Sequence, residues 1–473
     1  MENRLKDTYN PENFNSIGHE LIDLLTKYLK DSTEGNIPVM NWKEPSDQLK
    51  FWKDFTLENN NPIELFKAII DNSIHIHHPK YMGHQLCPPA PISALTGLLG
   101  ELVNNGMAIY EMGAAATAIE KVIIDLLAKK IGYDDDGDGY ITSGGTIGNL
   151  TAMLAARQNA VDSDIWEHGL TENLGVMVSS EAHYSVDRAL RIMGFGSKGI
   201  IKVPVGDDFS IRTDLLDKYY QQASDDGVKV IAVVGCAPST STGMYDNLEA
   251  IATFCKHKEL WFHVDGAHGG GAIFSKKYKH LLSGIEKADS VVIDGHKMLM
   301  TPALLTFVMF KKSEVSYSTF SQKAQYLWEK NQDEEWFNMA RRTIECTKLM
   351  MSIKFYAILM VHGEEVFDQS VTHLYDLGKE FAKKINERNN FELALEPDSN
   401  IVCFRFIKPG VTGVDVDNLN SKIRSKLLKD GEFYIVQTIL NDMVYLRTTL
   451  INPTTNSQIL DELFDEIERI GGN

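Results

Sequence analysis

Lys297 closes the run Ser290-Val-Val-Ile-Asp-Gly-His-Lys-Met298, in which a tight turn follows an apolar strand pattern. A surface charge gains nothing from that position, whereas an amine that must bond covalently to a carbonyl gains a fixed geometry. Asp265 follows a second apolar run, Glu259-Leu-Trp-Phe-His-Val264, within His263-Val-Asp-Gly-Ala-His268. A carboxylate there can pair with a protonated ring nitrogen and let the ring act as an electron sink. An amine for an aldehyde and a carboxylate for a pyridinium are two requirements of a pyridoxal phosphate (PLP) site.

Three further segments fit the same chemistry. Thr142-Ser-Gly-Gly-Thr-Ile-Gly-Asn149 lies between a strand pattern and a helix pattern, so helix N–H groups and the Ser143 and Thr146 hydroxyls can receive a phosphate. It has neither the Gly-Lys-Ser/Thr ending of a Walker A loop nor the GxGxxG of a dinucleotide turn, and glycines there also serve helix packing. His183, in Ser179-Ser-Glu-Ala-His-Tyr-Ser185, offers a flat ring to stack on a cofactor and a titratable nitrogen; alone it reads equally as a hydrogen-bonded loop histidine. Gly235-Cys-Ala-Pro-Ser-Thr-Ser-Thr-Gly243 supplies Ser239 and Thr240 as hydroxyls for a cofactor oxygen or a substrate carboxylate, or simply as a polar turn. The order of these segments carries more information than any one of them.

Composition narrows the alternatives. A net charge of −18 disfavours nucleic acid and anionic membranes as partners. No apolar run approaches the roughly 18 residues that cross a bilayer, and the start Met1-Glu-Asn-Arg-Leu-Lys-Asp7 lacks an apolar signal region. The 5 cysteines are scattered without a CxxC pair, which fits a reducing compartment. The expectation is a soluble cytoplasmic protein. His75, His77 and His78 lie close together, but no carboxylate or cysteine set stands at metal-ligand spacing, so no metal is expected.

Three regions are expected. Residues 1–75 read as helices, with Ile17, Leu21, Ile22, Leu24, Leu25 and Leu29 at helical spacing. Residues 76–345 alternate strands (139–142, 175–178, 200–203, 228–234, 260–264, 290–293, 303–310) with helices (147–160, 184–193, 246–257, 279–287). That alternation predicts an α/β fold with a mostly parallel sheet covered by helices on both faces, its ligands outside the carboxyl ends of the strands. Residues 346–473 read as a long helix over 346–361 and a smaller α/β domain with strands at 400–406 and 443–447 and a helix near 456–470.

With these segments in place, the chain resembles the group II PLP-dependent amino acid decarboxylases. That family includes enzymes for aromatic amino acids, histidine, tyrosine, glutamate and 2,4-diaminobutyrate. The resemblance runs from about residue 60 onward. Besides the segments above it rests on His78-Pro-Lys-Tyr-Met-Gly-His84, Thr117-Ala-Ile-Glu120, Asp294-Gly-His-Lys297 and Asn452-Pro-Thr-Thr455. It implies the PLP-dependent transferase-like fold (fold type I), with Lys297 as the Schiff-base lysine and Asp265 as partner of the pyridine nitrogen. It places Ala267 under the ring and His183 on the other face. Ser143, Gly144, Gly145 and Thr146 would hold the phosphate, joined by His296. It further implies Arg447 on a substrate carboxylate, His84 and Gln85 in the side-chain pocket, and a homodimer in which residues 1–75 wrap the partner and active sites lie at the interface.

The chain departs from the family pattern in two places. The loop 329–339 is shortened and carries Trp336 and Phe337 but lacks the tyrosine that commonly returns a proton after decarboxylation. His183, Tyr326 or a residue of the other subunit would then serve. In some relatives loss of that tyrosine accompanies oxidative deamination to an aldehyde. Pro238-Ser-Thr240 stands where relatives show Gly-Thr-Thr, which keeps the hydroxyls. The sequence therefore predicts decarboxylation of an L-amino acid, aromatic ahead of diamino or acidic, with an aldehyde synthase as the enzymatic alternative. A transaminase and a non-catalytic binding protein are disfavoured by the joint motifs and by the intact Lys297, Asp265 and His183.

Overall fold

Val230–Val234 is apolar at every position, so a strand built from it has no face to turn to water. The computed structural model describes residues 2–161, 165–320 and 336–472, and buries this run completely. The chain forms two units. The larger comprises Gln85–Lys379 with Leu395–Ile401, and the smaller comprises residues through His84, Glu380–Ala394 and Val402–Asn473.

The larger unit is built on strands β1 (Asp138–Thr142), β2 (Leu174–Ser179), β3 (Ile200–Val203), β4 (Lys229–Cys236), β5 (Trp261–Asp265), β6 (Ser290–Asp294) and β7 (Thr306–Phe310). They lie in the order β1-β7-β6-β5-β4-β2-β3. The pairs from β6 through β5, β4 and β2 to β3 are parallel, while β7 runs against both β6 and β1. β1 therefore points the same way as β6, and the ends of β1, β2, β4, β5 and β6 all reach one edge of the sheet. Every residue of β1, β2, β5, β6 and β7 is buried, as expected of strands covered on both faces. The seven strands match the predicted ones to within three residues at each end.

Two helix predictions need correction. Residues 279–287 form two short 3-10 turns, Lys279–Leu282 and Ile285–Lys287, interrupted by Gly284 at φ +98. A Cβ at Gly284 would meet the Glu249 backbone nitrogen at 2.7 Å, so the close approach selects glycine and ends the helix pattern. The helix expected over 346–361 begins only at Ser352 and ends at His362. Lys348 is buried and donates to the Ile141 carbonyl (2.8 Å) and to Glu120, so this segment is held along β1. A buried ammonium needs such partners, and they come from β1 and the helix Tyr110–Ile131.

The smaller unit has a second sheet, in the order β10-β11-β9-β8, from β8 (Phe391–Leu393), β9 (Ile401–Phe406), β10 (Val436–Leu440) and β11 (Met443–Thr449). Phe381, Phe391, Phe404 and Phe464 pack around one another with ring centroids 4.7–6.4 Å apart. Met82 joins this unit through its backbone, donating to the Tyr434 carbonyl (3.0 Å) and accepting from Thr449 N (2.8 Å). Among the described residues no helix is long and apolar enough to cross a membrane.

Candidate active site

The register of the large sheet sets the site. Cys236 stands opposite Asp265, and Thr306 stands opposite both Thr142 and Asp294. The turns that leave β1, β4, β5 and β6 thus open onto a single cavity of about 340 Å³. Ser143, Gly144, Gly145, Thr146, His183, Ser239, Thr240, Asp265, Ala267, His296 and Lys297 all line it.

At one side the helix Gly145–Ala160 begins without a side-chain cap, because Gly144 at φ +124 turns the chain sharply into it. Its first N–H groups and the positive end of its dipole therefore face the cavity as an anion site. Ser143 Oγ donates to Glu345 (2.8 Å). A Cβ at Gly145 would lie 3.2 Å from Asp294 Oδ1 and 3.6 Å from the Ala267 methyl, so the space above this turn exists only because residue 145 is glycine.

Lys297 Nζ pairs with Asp294 Oδ2 at 2.9 Å, and Asp294 is itself buried and accepts from Thr306 Oγ1. His296 is buried with Nδ1 facing the Leu305 carbonyl at 2.8 Å. Asp265 Oδ1 accepts from Ala267 N (3.2 Å) and Oδ2 accepts from Asn149 Nδ2 (2.9 Å). His183 Nδ1 lies 2.7 Å from Ser185 Oγ. Burial lowers the His183 pKa, against the opposing pull of Asp265, so its ring is neutral at neutral pH. Ser239 Oγ is 2.7 Å from Thr242 Oγ1, which holds that hydroxyl within its own turn.

His84 and Arg447 belong to the smaller unit, and Gln85 is the first residue of the larger one. The pKa of His84 is lowered by burial and then by the charges of Arg447 and Arg424. Arg447 is buried, donates to Thr449 Oγ1 at 3.4 Å, and leaves Nε without a hydrogen bond among the described residues. Of the loop 329–339, residues 329–335 lie outside the described residues, as does Tyr326. Phe337 packs edge-on to Tyr110 at 5.6 Å.

Sequence reasoning assigned no role to Asn149, Ser185, Asp294 or Glu345, although all four contact the predicted set. Asp294 carried a readable signal, an acid three residues before the lysine. Asn149 and Glu345 carried none, since their partners lie on distant elements.

A primary amine, a helix-end anion site and a buried carboxylate around one glycine-cleared cavity match the aldehyde, phosphate and ring nitrogen of PLP. The pyridoxal-dependent decarboxylase conserved domain matches residues 63–407, and the chain belongs to that family. It is a PLP-dependent amino acid decarboxylase. An aromatic-L-amino-acid decarboxylase of Bacillus atrophaeus is 26% identical over 467 residues, covering 97% of this chain and 95% of that protein. The acidic amino acid decarboxylase GADL1 of Xenopus tropicalis is 27% identical over 466 residues, covering 95% and 91%. The solved structure of mouse CSAD in apo form shares the fold, with a TM-score of 0.90 at 22% identity over 98% of this chain and 99% of that one.

Proposed function

We propose that the enzyme converts an aromatic L-amino acid to its amine and CO2, with Lys297 as the residue that binds PLP covalently. The observation that carries this assignment is Lys297 in the same cavity as Asp265 and the uncapped helix end. Once bound, PLP supplies an aldehyde for exchange of amines and a ring that takes up the electron pair left by CO2. Asp265, held by Asn149 and the Ala267 N–H, would pair with the ring nitrogen and stabilise positive charge there. Ser143, Thr146 and the backbone of Gly144 and Gly145 would hold the phosphate, with His296 beside them. Ala267 and His183 would bound the ring, and Thr240 would offer a hydroxyl to an oxygen of cofactor or substrate. The proton returned after loss of CO2 would come from His183, from Tyr326 or from a residue of a second subunit.

The choice of an aromatic side chain rests on His84 and Gln85, which add no fixed charge of either sign to the pocket assigned to them. A second reading, an acidic substrate, is favoured by Arg424 and Arg447, whose positive charges both act on His84. The diamino reading finds no such support among these residues. Incubating the PLP-loaded protein with the common amino acids, DOPA, 5-hydroxytryptophan and 2,4-diaminobutyrate separates these readings when CO2, amine and aldehyde are measured individually. Turnover of glutamate or aspartate alone overturns the aromatic assignment. Aldehyde with ammonia and peroxide shows the aldehyde-synthase course instead.

We further propose a homodimer in which residues 1–75 cover the partner. In support, Phe14, Ile22 and Leu25 on the helix Pro11–Thr33 are exposed, as are Leu95, Leu98, Leu99 and Leu102 on the helix Pro91–Val103. A cytoplasmic location accords with the five free cysteines.

A further inference from the structure

Beneath the cavity runs a continuous line of buried hydrogen bonds. Trp261 Nε1 donates to Ser290 Oγ (2.9 Å), and Ser290 Oγ lies 2.8 Å from His263 Nδ1. His263 Nε2 lies 3.0 Å from Asn149 Oδ1. Asn149 Nδ2 reaches both Asp265 Oδ2 and Ser185 Oγ at 2.9 Å, and Ser185 Oγ reaches His183 Nδ1 at 2.7 Å. Asn149, Ser185, His263 and Ser290 are all buried.

The donors and acceptors in this line can be ordered from its two ends. A carboxylate only accepts, so the Asn149 atom at Asp265 must be the NH2 group. Asn149 Oδ1 then faces His263, which must carry its proton on Nε2 and leave Nδ1 to accept from the Ser290 hydroxyl. That hydroxyl is free to donate there because its oxygen already accepts from Trp261, a donor with no acceptor role. The second hydrogen of the Asn149 amide goes to Ser185 Oγ, and the Ser185 hydroxyl hydrogen is therefore directed to His183 Nδ1. The Ser185 backbone N–H points at the same nitrogen from 3.3 Å, which leaves no place for a proton on it.

We infer that Asn149 and Ser185 are positioning residues that lock His183 in the tautomer with its proton on Nε2, while the same amide holds Asp265 in place. His183 Nε2 makes no hydrogen bond among the described residues, so it is the ring's remaining donor. One asparagine thus sets both the carboxylate assigned to the ring nitrogen and the edge that His183 presents. The functional consequence rests on the cavity being the cofactor site, but the tautomer belongs to the protein itself.

The test uses the full chain with 15N-labelled histidine, with and without PLP, read by long-range 1H–15N correlation and assigned with His183→Gln. Wild type is expected to show His183 protonated at Nε2 only. Ser185→Ala should lose part of that preference, because only the backbone N–H still opposes a proton on Nδ1, and Ser185→Thr should restore it. Asn149→Ala should weaken the preference too and weaken PLP binding about tenfold or more, by analogy with the loss of an orienting partner behind a metal ligand. Should Asn149→Ala fail to fold, the Ser185 pair decides alone. A proton on Nδ1 or a doubly protonated ring in wild type, or a Ser185→Ala spectrum unchanged from wild type, overturns the inference. PLP absorbance in wild type reports separately on the cofactor reading.

Discussion

Lys297 Nζ rests 2.9 Å from Asp294 Oδ2, a carboxylate three residues earlier in the chain and buried at the end of β6. The pair shows how the site keeps a cation inside a cavity. The acid is fixed by Thr306 on the neighbouring strand, and the lysine is left one partner that it can give up. Even a partly buried ammonium loses part of its hydration, and that acid offsets the loss.

Replacement of Lys297 by alanine removes the only amine that lines the cavity among the described residues. The variant is expected to lose turnover and the visible-edge absorbance of covalently bound PLP while keeping its circular dichroism. An unchanged rate of CO2 release would sink the assignment.

Gly145→Ala tests the cleared space. The new methyl would press on Asp294 Oδ1 and Oδ2 at 3.2 and 3.3 Å and displace the acid that holds Lys297. PLP affinity should fall about tenfold or more, equal to at least about 1.4 kcal/mol, with little change in melting temperature. Equilibrium dialysis with PLP provides the measurement.

The pair of Lys348 and Glu120 is buried on both sides and tied to β1 through the Ile141 backbone. Glu120→Ala leaves an ammonium without its counter-charge and should cost about 3–5 kcal/mol in urea unfolding. The double variant Glu120→Leu with Lys348→Met removes both charges and should lie closer to wild type than Glu120→Ala does. Only the Ile141 N–H and carbonyl then lack partners, a smaller penalty. Equal loss in both variants would contradict this account.

His263 predicts a pH effect whose sign can be worked out. Burial lowers its pKa to about 4 from the usual 6.5 of histidine, so between those values the unfolded chain binds a proton that the folded chain refuses. Its contribution is complete above pH 6.5 and is lost as pH falls toward 4, a change on the order of 3 kcal/mol. Asp246 works in the opposite sense. Burial raises its pKa to about 6, so its contribution is present at low pH and lost as pH rises from 3.8 to 6. His263→Gln should therefore flatten the decline in stability between pH 6.5 and 4 relative to wild type, measured as urea midpoints. A decline as steep as that of wild type would refute this role for the buried ring.

Much of this enzyme is written in local sequence. Apolar runs long enough for one strand and bounded by turn residues locate most of β1 to β7, because a strand covered on both faces carries few polar positions to mislead the reading. The end of each run then exposes a chemically unusual residue, and so Lys297, Asp265, His183 and the Ser143–Thr146 turn are visible before any fold is known. Helices read less well where tertiary contacts overrule periodicity, as at Gly284 and in the segment held by Lys348.

What the chain alone could not disclose is every relation that depends on register and on the packing of separate elements. Asn149 looks like an ordinary helix residue until β5 and the turn after β2 bring Asp265, His263 and Ser185 against its amide. Glu345 acquires its partner only because its segment runs back beside β1. A hydrogen bond is directional and ends within about 3 Å, so its members are decided by folding and not by spacing along the chain. The sequence by itself determined the cofactor chemistry, and the tertiary structure decided which buried groups stand behind the residues that carry it.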